Sequence, residues 1–223
     1  MTALNENRKA ESENPGLRLR VFLTGVGGQG TLLASRVLGE AALEAGLAPV
    51  VSETHGMAQR GGIVVSAVVL GGVKSPIISP GEADVILGFE ALETFRALSY
   101  AHPKTLVIAN TAAFAPYTVA TGQAKYPDVP RMLRLMGEHV GGLLVFDAGE
   151  SARRAGSPLA VNMVVLGALA ATSRLPLGAD DLLRIIRTST KANFLEINLQ
   201  AFQAGIDAAR DTRNWIKPPG GWH

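Results

Sequence analysis

Residues 21–46 read VFLTGVGGQGTLLASRVLGEAALEAG. An apolar run, a glycine turn and a helical pattern follow one another without a break. Gly25, Gly27 and Gly30 fall at the G-x-G-x-x-G spacing, which between a strand and a helix is the dinucleotide-binding fingerprint. Glycines there permit positive φ and close backbone approach, and the helix start presents unpaired N–H groups and a positive dipole end. A phosphate, a carboxylate or a partner's acidic side chain could use such a turn, and so could plain packing of helix on sheet. Gly27-Gly28-Gln29-Gly30 is not followed by Lys-Ser/Thr, which excludes a P-loop.

Outward from this stretch, strand and helix signals alternate. LRLRVFLTG predicts a first strand, and TLLASRVLGEAALEAG a helix with Leu33, Val37, Leu38, Ala41 and Ala42 on one side and Gly46 as its C-terminal cap. APVVSE and IVVSAVVLG read as strands. ADVILGFE, TLVIAN and GLLVFDA are short apolar runs that fit buried strands of a mostly parallel sheet. EALETFRALSYA fits a helix, and three more fill the last third: SPLAVNMVVLGALAATSR, GADDLLRIIRTST and ANFLEINLQAFQAGIDAARD. The expected fold is α/β: a single Rossmann-like domain, its mostly parallel sheet flanked by helices, with a helical C-terminal third. Residues 1–17 are expected to be a flexible N-terminal tail, 18–212 the domain, and 213–223 a C-terminal tail with Pro and Gly pairs and two tryptophans.

The 223 residues are 47% apolar and 18% charged, enough for one folded core. A net charge of +2 with scattered Lys and Arg points away from nucleic acid. Cysteine is absent, so this chain can supply no disulfide and no thiolate to a metal or iron–sulfur cluster. No apolar stretch reaches the roughly 20 residues that span a bilayer, and MTALNENRKAESENPG holds no signal-like segment. The expectation is a soluble cytoplasmic protein without a membrane partner. The four histidines, His55, His102, His139 and His223, are too scattered to suggest a metal site, and no catalytic constellation can be assigned.

A second loop, THGMAQRGG, follows the second strand. Arg60 offers a planar fork of donors for phosphate or carboxylate, Gln59 reads either polarity, and His55 titrates near neutrality. Gly61 and Gly62 close the loop. Sheet topology places it at the same carboxyl edge as the first glycine turn, where ligands of open α/β sheets bind. Glu53 stands where a nicotinamide-binding fold puts its ribose-binding acid. A helix should follow that strand in such a fold, however, and here another strand follows. A stand-alone NAD(P)- or nucleotide-binding protein is therefore the alternative reading.

GVGGQGTLLASRVLGEAALEAG joined to SETHGMAQRGGIVVSAV closely resembles the beta-subunit family of the indolepyruvate:ferredoxin oxidoreductases. More widely, it is similar to the gamma-type domain of the 2-oxoacid:ferredoxin oxidoreductases. The likeness continues through EADVILGFEALETFRAL, VIANT, NMVVLGAL and NFLEINLQAFQAG, about residues 20 to 210.

The resemblance implies a smaller subunit of an oxidoreductase, inactive alone and binding no cofactor by itself. A large alpha subunit would carry thiamine diphosphate and iron–sulfur clusters. The reaction implied converts an aryl 2-oxoacid and CoA, with ferredoxin or a similar acceptor, to an aryl-acetyl-CoA, carbon dioxide and reduced acceptor. Motif residues Gly25, Gly27, Gly28, Gln29 and Gly30, with His55, Gln59, Arg60, Gly61 and Gly62, form the candidate site. Two uses of that edge stay open: Arg60 and the first helix hold an anionic group of CoA or substrate, or both loops are buried against the large subunit. Mean hydropathy of +0.20 is high for a chain that must stay in solution by itself, which suits a hetero-oligomer.

Overall fold

The computed structural model describes residues 18–54, 62–114 and 125–219. The chain runs β1 (Leu19–Val26), α1 (Thr31–Glu44), β2 (Val50–Thr54), β3 (Ile63–Leu70), β4 (Ala83–Gly88), α2 (Ala91–Arg96), β5 (Ala101–Asn110), α3 (Val129–His139), β6 (Gly142–Phe146), α4 (Ala148–Arg154), α5 (Val161–Ala170), α6 (Ala179–Ser189), α7 (Ala192–Arg210) and β7 (Trp215–Lys217). The seven strands form one sheet in the order β2-β3-β1-β4-β5-β6-β7. Five strands point one way, and β3 and β7 run against them. The sheet is thus mostly parallel by strand direction, as expected, with β2 and β3 joined antiparallel where a nicotinamide-binding fold would insert a helix.

Alternation along β1 divides the core. Val21 and Leu23 face a large cluster with α1 and α4–α7, while Phe22 faces a smaller one with Met136 of α3 and stacks on Tyr100 at a 4.3 Å centroid distance. Helix α1 therefore leaves β1 to one face and α2 leaves β4 to the other. The crevice between the carboxyl ends of β1 and β4 is the topological switch point of the sheet.

Helix α1 buries Ala34, Val37, Leu38, Ala41 and Ala42, but Leu33 points outward at 38% exposure. Leu33 lies one residue off the stripe, so its expected burial is corrected. Gly46, at φ 72°, ends the helix: its N–H reaches Leu43 O at 3.0 Å and that of Leu47 reaches Ala42 O at 2.9 Å, a Schellman close. Helices α5 and α7 approach so closely that a Cβ on Gly167 would lie 1.9 Å from Phe202 O, and one on Gly205 1.9 Å from Val164 O.

Two parts of the chain depart from expectation. The apolar spacing predicts no helix at α3, although Asp128 caps it by accepting from Arg131 N–H at 2.7 Å and Pro130 sits in its first turn. The expected tail from residue 213 begins instead inside the fold. Trp215–Lys217 adds an edge strand to β6, and the Trp215 indole N–H donates to Ala209 O at 2.8 Å. That partly buried aromatic anchor overrides the breaking tendency of the prolines behind it.

Candidate functional site

β1 delivers the chain to the carboxyl edge at Val26, and α1 departs after four intervening residues. Gly28 and Gly30 take φ of 100° and 79°, a region that residues with a Cβ avoid. Gln29 braces the turn from within: its N–H donates to Val26 O at 3.2 Å and its Oε1 accepts from Val26 N–H at 2.8 Å. The Gln29 carbonyl is therefore spent on the turn itself. Gly30 O accepts from Ala34 N–H at 3.0 Å, and no side chain caps α1.

The two glycine-bounded loops meet here. Gly27 N–H donates to Gly62 O at 2.9 Å. His55, Gln59, Arg60 and Gly61 lie outside the described residues. Glu53 sits on β2 opposite Ser66 and accepts from Ser35 Oγ of α1 at 3.3 Å, so the strand is tied to the helix rather than standing apart from it.

Two buried polar side chains beside the turn, Thr31 and Asn162, keep hydrogen-bonding capacity that no described residue uses. Thr31 Oγ1 has no partner among them, and it lies 3.3 Å from where a Cβ on Gly25 would stand. Asn162, at the start of α5, is 3% exposed. Its Oδ1 accepts from Met163 N–H at 3.0 Å, while Nδ2 lies 2.7 Å from the Cβ position of Gly30 with no acceptor. The first turn of α1 contains no acidic residue. Unpaired donors, free helix N–H groups and the positive dipole end all favour an anionic acceptor at this point.

Across the crevice, Phe89 N–H donates to Thr24 O at 2.9 Å and fixes β1 to the β4–α2 turn. Glu90 is fully buried and caps α2: its Oε2 accepts from Glu93 N–H at 2.9 Å. Its Oε1 accepts from Phe114 N–H at 3.1 Å and from the Tyr126 hydroxyl, which itself accepts from Leu92 N–H at 3.1 Å. One carboxylate thus pins the chain after β5 and the chain before α3 to α2. Burial, with the hydrogen bond to Glu90 and its charge, pushes the Tyr126 phenol above its usual range. Burial also raises the Glu93 carboxyl and the neighbouring Glu90 adds to this, while Arg96, 2.6 Å away, opposes it. These groups satisfy one another and form a lock.

Sequence reasoning passed over Asn162, Thr31, Glu90 and Tyr126. The available signals were faint: a lone Asn opening an apolar helix, and two glutamates three apart in a segment otherwise apolar. Five large apolar side chains stay exposed around this edge: Leu33, Ile63, Phe114, Leu159 and Phe194. Among the described residues no group of three or more His, Cys, Asp or Glu could hold a metal ion, and no helix is long and apolar enough to cross a membrane.

The sequence model of the pyruvate ferredoxin/flavodoxin oxidoreductase family matches residues 20–208. The chain belongs to this family. Within it, the chain is 38% identical over 196 residues to indolepyruvate oxidoreductase subunit IorB of Methanothermobacter thermautotrophicus, covering 88% of this chain and 100% of that protein. The subunit of the same name from Archaeoglobus fulgidus is 39% identical over 193 residues, 86% of this chain and 96% of its own length.

The fold is shared with the gamma subunit of a keto/oxoacid ferredoxin oxidoreductase from Geobacter sulfurreducens (TM-score 0.63, 21% identity, 86% of this chain and 98% of that one). It is shared too with 2-oxoglutarate:ferredoxin oxidoreductase from Magnetococcus marinus, solved with 2-oxoglutarate, coenzyme A and succinyl-CoA (TM-score 0.66, 19% identity). There 92% of this chain corresponds to 33% of a much longer one.

Proposed function

We propose that this chain is the smaller subunit of a cytoplasmic indolepyruvate or arylpyruvate:ferredoxin oxidoreductase. The observation that carries the reading is its match, over nearly the whole length of each, to proteins named as a subunit of indolepyruvate oxidoreductase. The complex converts an aryl 2-oxoacid and CoA to an aryl-acetyl-CoA and carbon dioxide, passing electrons to ferredoxin or a similar acceptor. The chain has no cysteine, so iron–sulfur clusters fall to a large partner subunit, and thiamine diphosphate with them.

The carboxyl edge faces that partner. Its ring of exposed apolar side chains suits an interface better than open solvent. At its centre, the start of α1 with Thr31 and Asn162 fits an anionic group of CoA or substrate, and Arg60 from the second loop adds a donor fork. This chain's share of the work is to orient and to exclude water, while the bond-making groups sit elsewhere.

Affinity capture of the tagged chain from native lysate tests the reading, with mass spectrometry and an arylpyruvate- and CoA-dependent dye-reduction assay on the eluate. The expected result is a large thiamine- and cluster-binding chain that carries this activity, and an isolated small chain that carries none. A homo-oligomer that turns over a nicotinamide substrate by itself would reject the reading in favour of a stand-alone enzyme. Arg60→Ala is expected to weaken assembly or CoA use while leaving the melting temperature of the isolated chain unchanged. Unchanged assembly and turnover would remove Arg60 from the site.

A further inference from the structure

A cleft of about 270 Å³ opens beside the glycine turn, between the start of α1, the turn at Pro158–Ala160 that leads into α5, and the junction of α6 and α7. Leu33, Leu159, Phe194 and Ile197 form its apolar walls. Leu159 is 75% and Phe194 49% exposed, an unfavourable placement for two large side chains unless something covers them.

The charge of the cleft has one sign. Lys191 lines it, has no ion-pair partner among the described residues, and no carboxylate lines it. Helices α1 and α7 both begin here, each without a side-chain cap and without an acidic residue in its first turn, so two positive dipole ends converge. Asn162, buried and lining the same cleft, holds out an amide nitrogen that has no acceptor among the described residues. An occupant must therefore be apolar in body and anionic at one end.

We infer that this cleft receives an apolar side chain flanked by a carboxylate from the large partner subunit. The inference rests on the subunit reading above and names the chemistry of the contact. The apolar part covers Leu159 and Phe194. The carboxylate pairs with Lys191 and accepts from Asn162 Nδ2, which gives that donor a partner and fixes the register of the two chains.

The test uses the reconstituted complex of full-length chains. A zero-length carbodiimide coupler followed by peptide mass spectrometry is expected to join Lys191 to an Asp or Glu of the large subunit. Lys191→Arg should assemble normally and lose that link. Phe194→Ala should raise the dissociation constant about tenfold or more. Lys191→Glu should weaken assembly as strongly and flatten its salt dependence. Leu43→Ala, at the far end of α1 and 67% exposed, should change neither.

Wild-type affinity in Phe194→Ala and Lys191→Glu, with no coupled Lys191 in an assembled complex, overturns the cleft inference and leaves the subunit reading standing. A raised KM for CoA with unaltered assembly in Lys191→Glu makes the cleft a cosubstrate site and overturns it too. Failure of the wild-type chain to join any large subunit would sink the subunit reading itself.

Discussion

Helices α5 and α7 meet with backbone almost touching backbone, whereas the carboxyl edge leaves Leu159 and Phe194 in water, the Thr31 hydroxyl without a partner and the Asn162 amide nitrogen without an acceptor among the described residues. The helical pair resembles the middle of any well-packed domain: nine of the ten residues of α5 are buried, from Val161 to Leu169. The edge, by contrast, carries apolar surface and unsatisfied donors together, which costs stability in an isolated chain. Asn162 belongs to both regions, with its helix in the packed layer and its amide at the edge. The difference teaches that packing is tightest in the body of the α5–α7 layer and relaxes at the carboxyl edge of that same layer, which stays open to a second molecule.

Substitutions can break or sharpen that contrast. The largest effect is expected from Gly205→Val, whose Cβ meets Val164 O and the backbone of Ala168 with no flexible side chain to yield. A loss of at least about 3 kcal/mol is expected, read by urea unfolding; a stable variant would mean that α5 and α7 can slide apart. At the edge the costs should be smaller and graded. Gly30→Ala combines positive φ with a contact on Asn162 and is expected to lose about 1–3 kcal/mol. Gly28→Ala, with positive φ but open space around its Cβ position, should lose less. Equal losses at the two sites would show that Asn162 exerts no steric hold on the turn.

A pH series probes the lock beside the crevice. Burial raises the Glu93 carboxyl, so the folded state holds a proton that the unfolded chain has already released. Stability contributed by that proton is present below the ordinary glutamate value and falls as pH rises through the raised one. Glu93→Gln should remove the fall, and its melting temperature relative to the wild type should improve as pH climbs through that window. A constant difference across pH would contradict the assignment.

The smallest effect belongs to the flank near β7, where polar groups are paired in full solvent. The hydrogen bond from Arg213 draws the Asp211 carboxyl down to about 2. In Arg213→Ala, NMR titration should return it toward its ordinary value with little change in stability. An Asp211 that still titrates near its low value would show that the turn's backbone N–H groups, and not Arg213, hold it.

The contrast between the two regions also explains what the sequence made legible. Residues 19–46 announce strand, turn and helix because their apolar spacing and glycines are dictated locally, and the structure keeps all three. The apolar runs at β4, β5 and β6 are equally plain, since parallel strands buried on both faces have little choice of residue. Helix α3 escaped notice because its buried side comes down to Met132 and Met136 among charged neighbours. β7 is not legible because it exists only by pairing with the distant β6, a tertiary contact with no local trace. At the candidate site, the meeting of Gly27 with Gly62 follows from strand order, so the two loops could be placed on one edge from sequence alone. Asn162 could not, because its importance lies in a bond it does not make.

Hydrogen–deuterium exchange on the isolated small chain and on its complex with the large subunit tests the central claim most directly. The account predicts new protection concentrated at the carboxyl edge, in peptides covering Gly25–Leu33, Ser157–Met163 and Ser189–Asn198, with the body of α5 slow to exchange in both states. Protection gathered instead at the opposite edge, or along α3 and β7, would contradict it and place the partner on another surface.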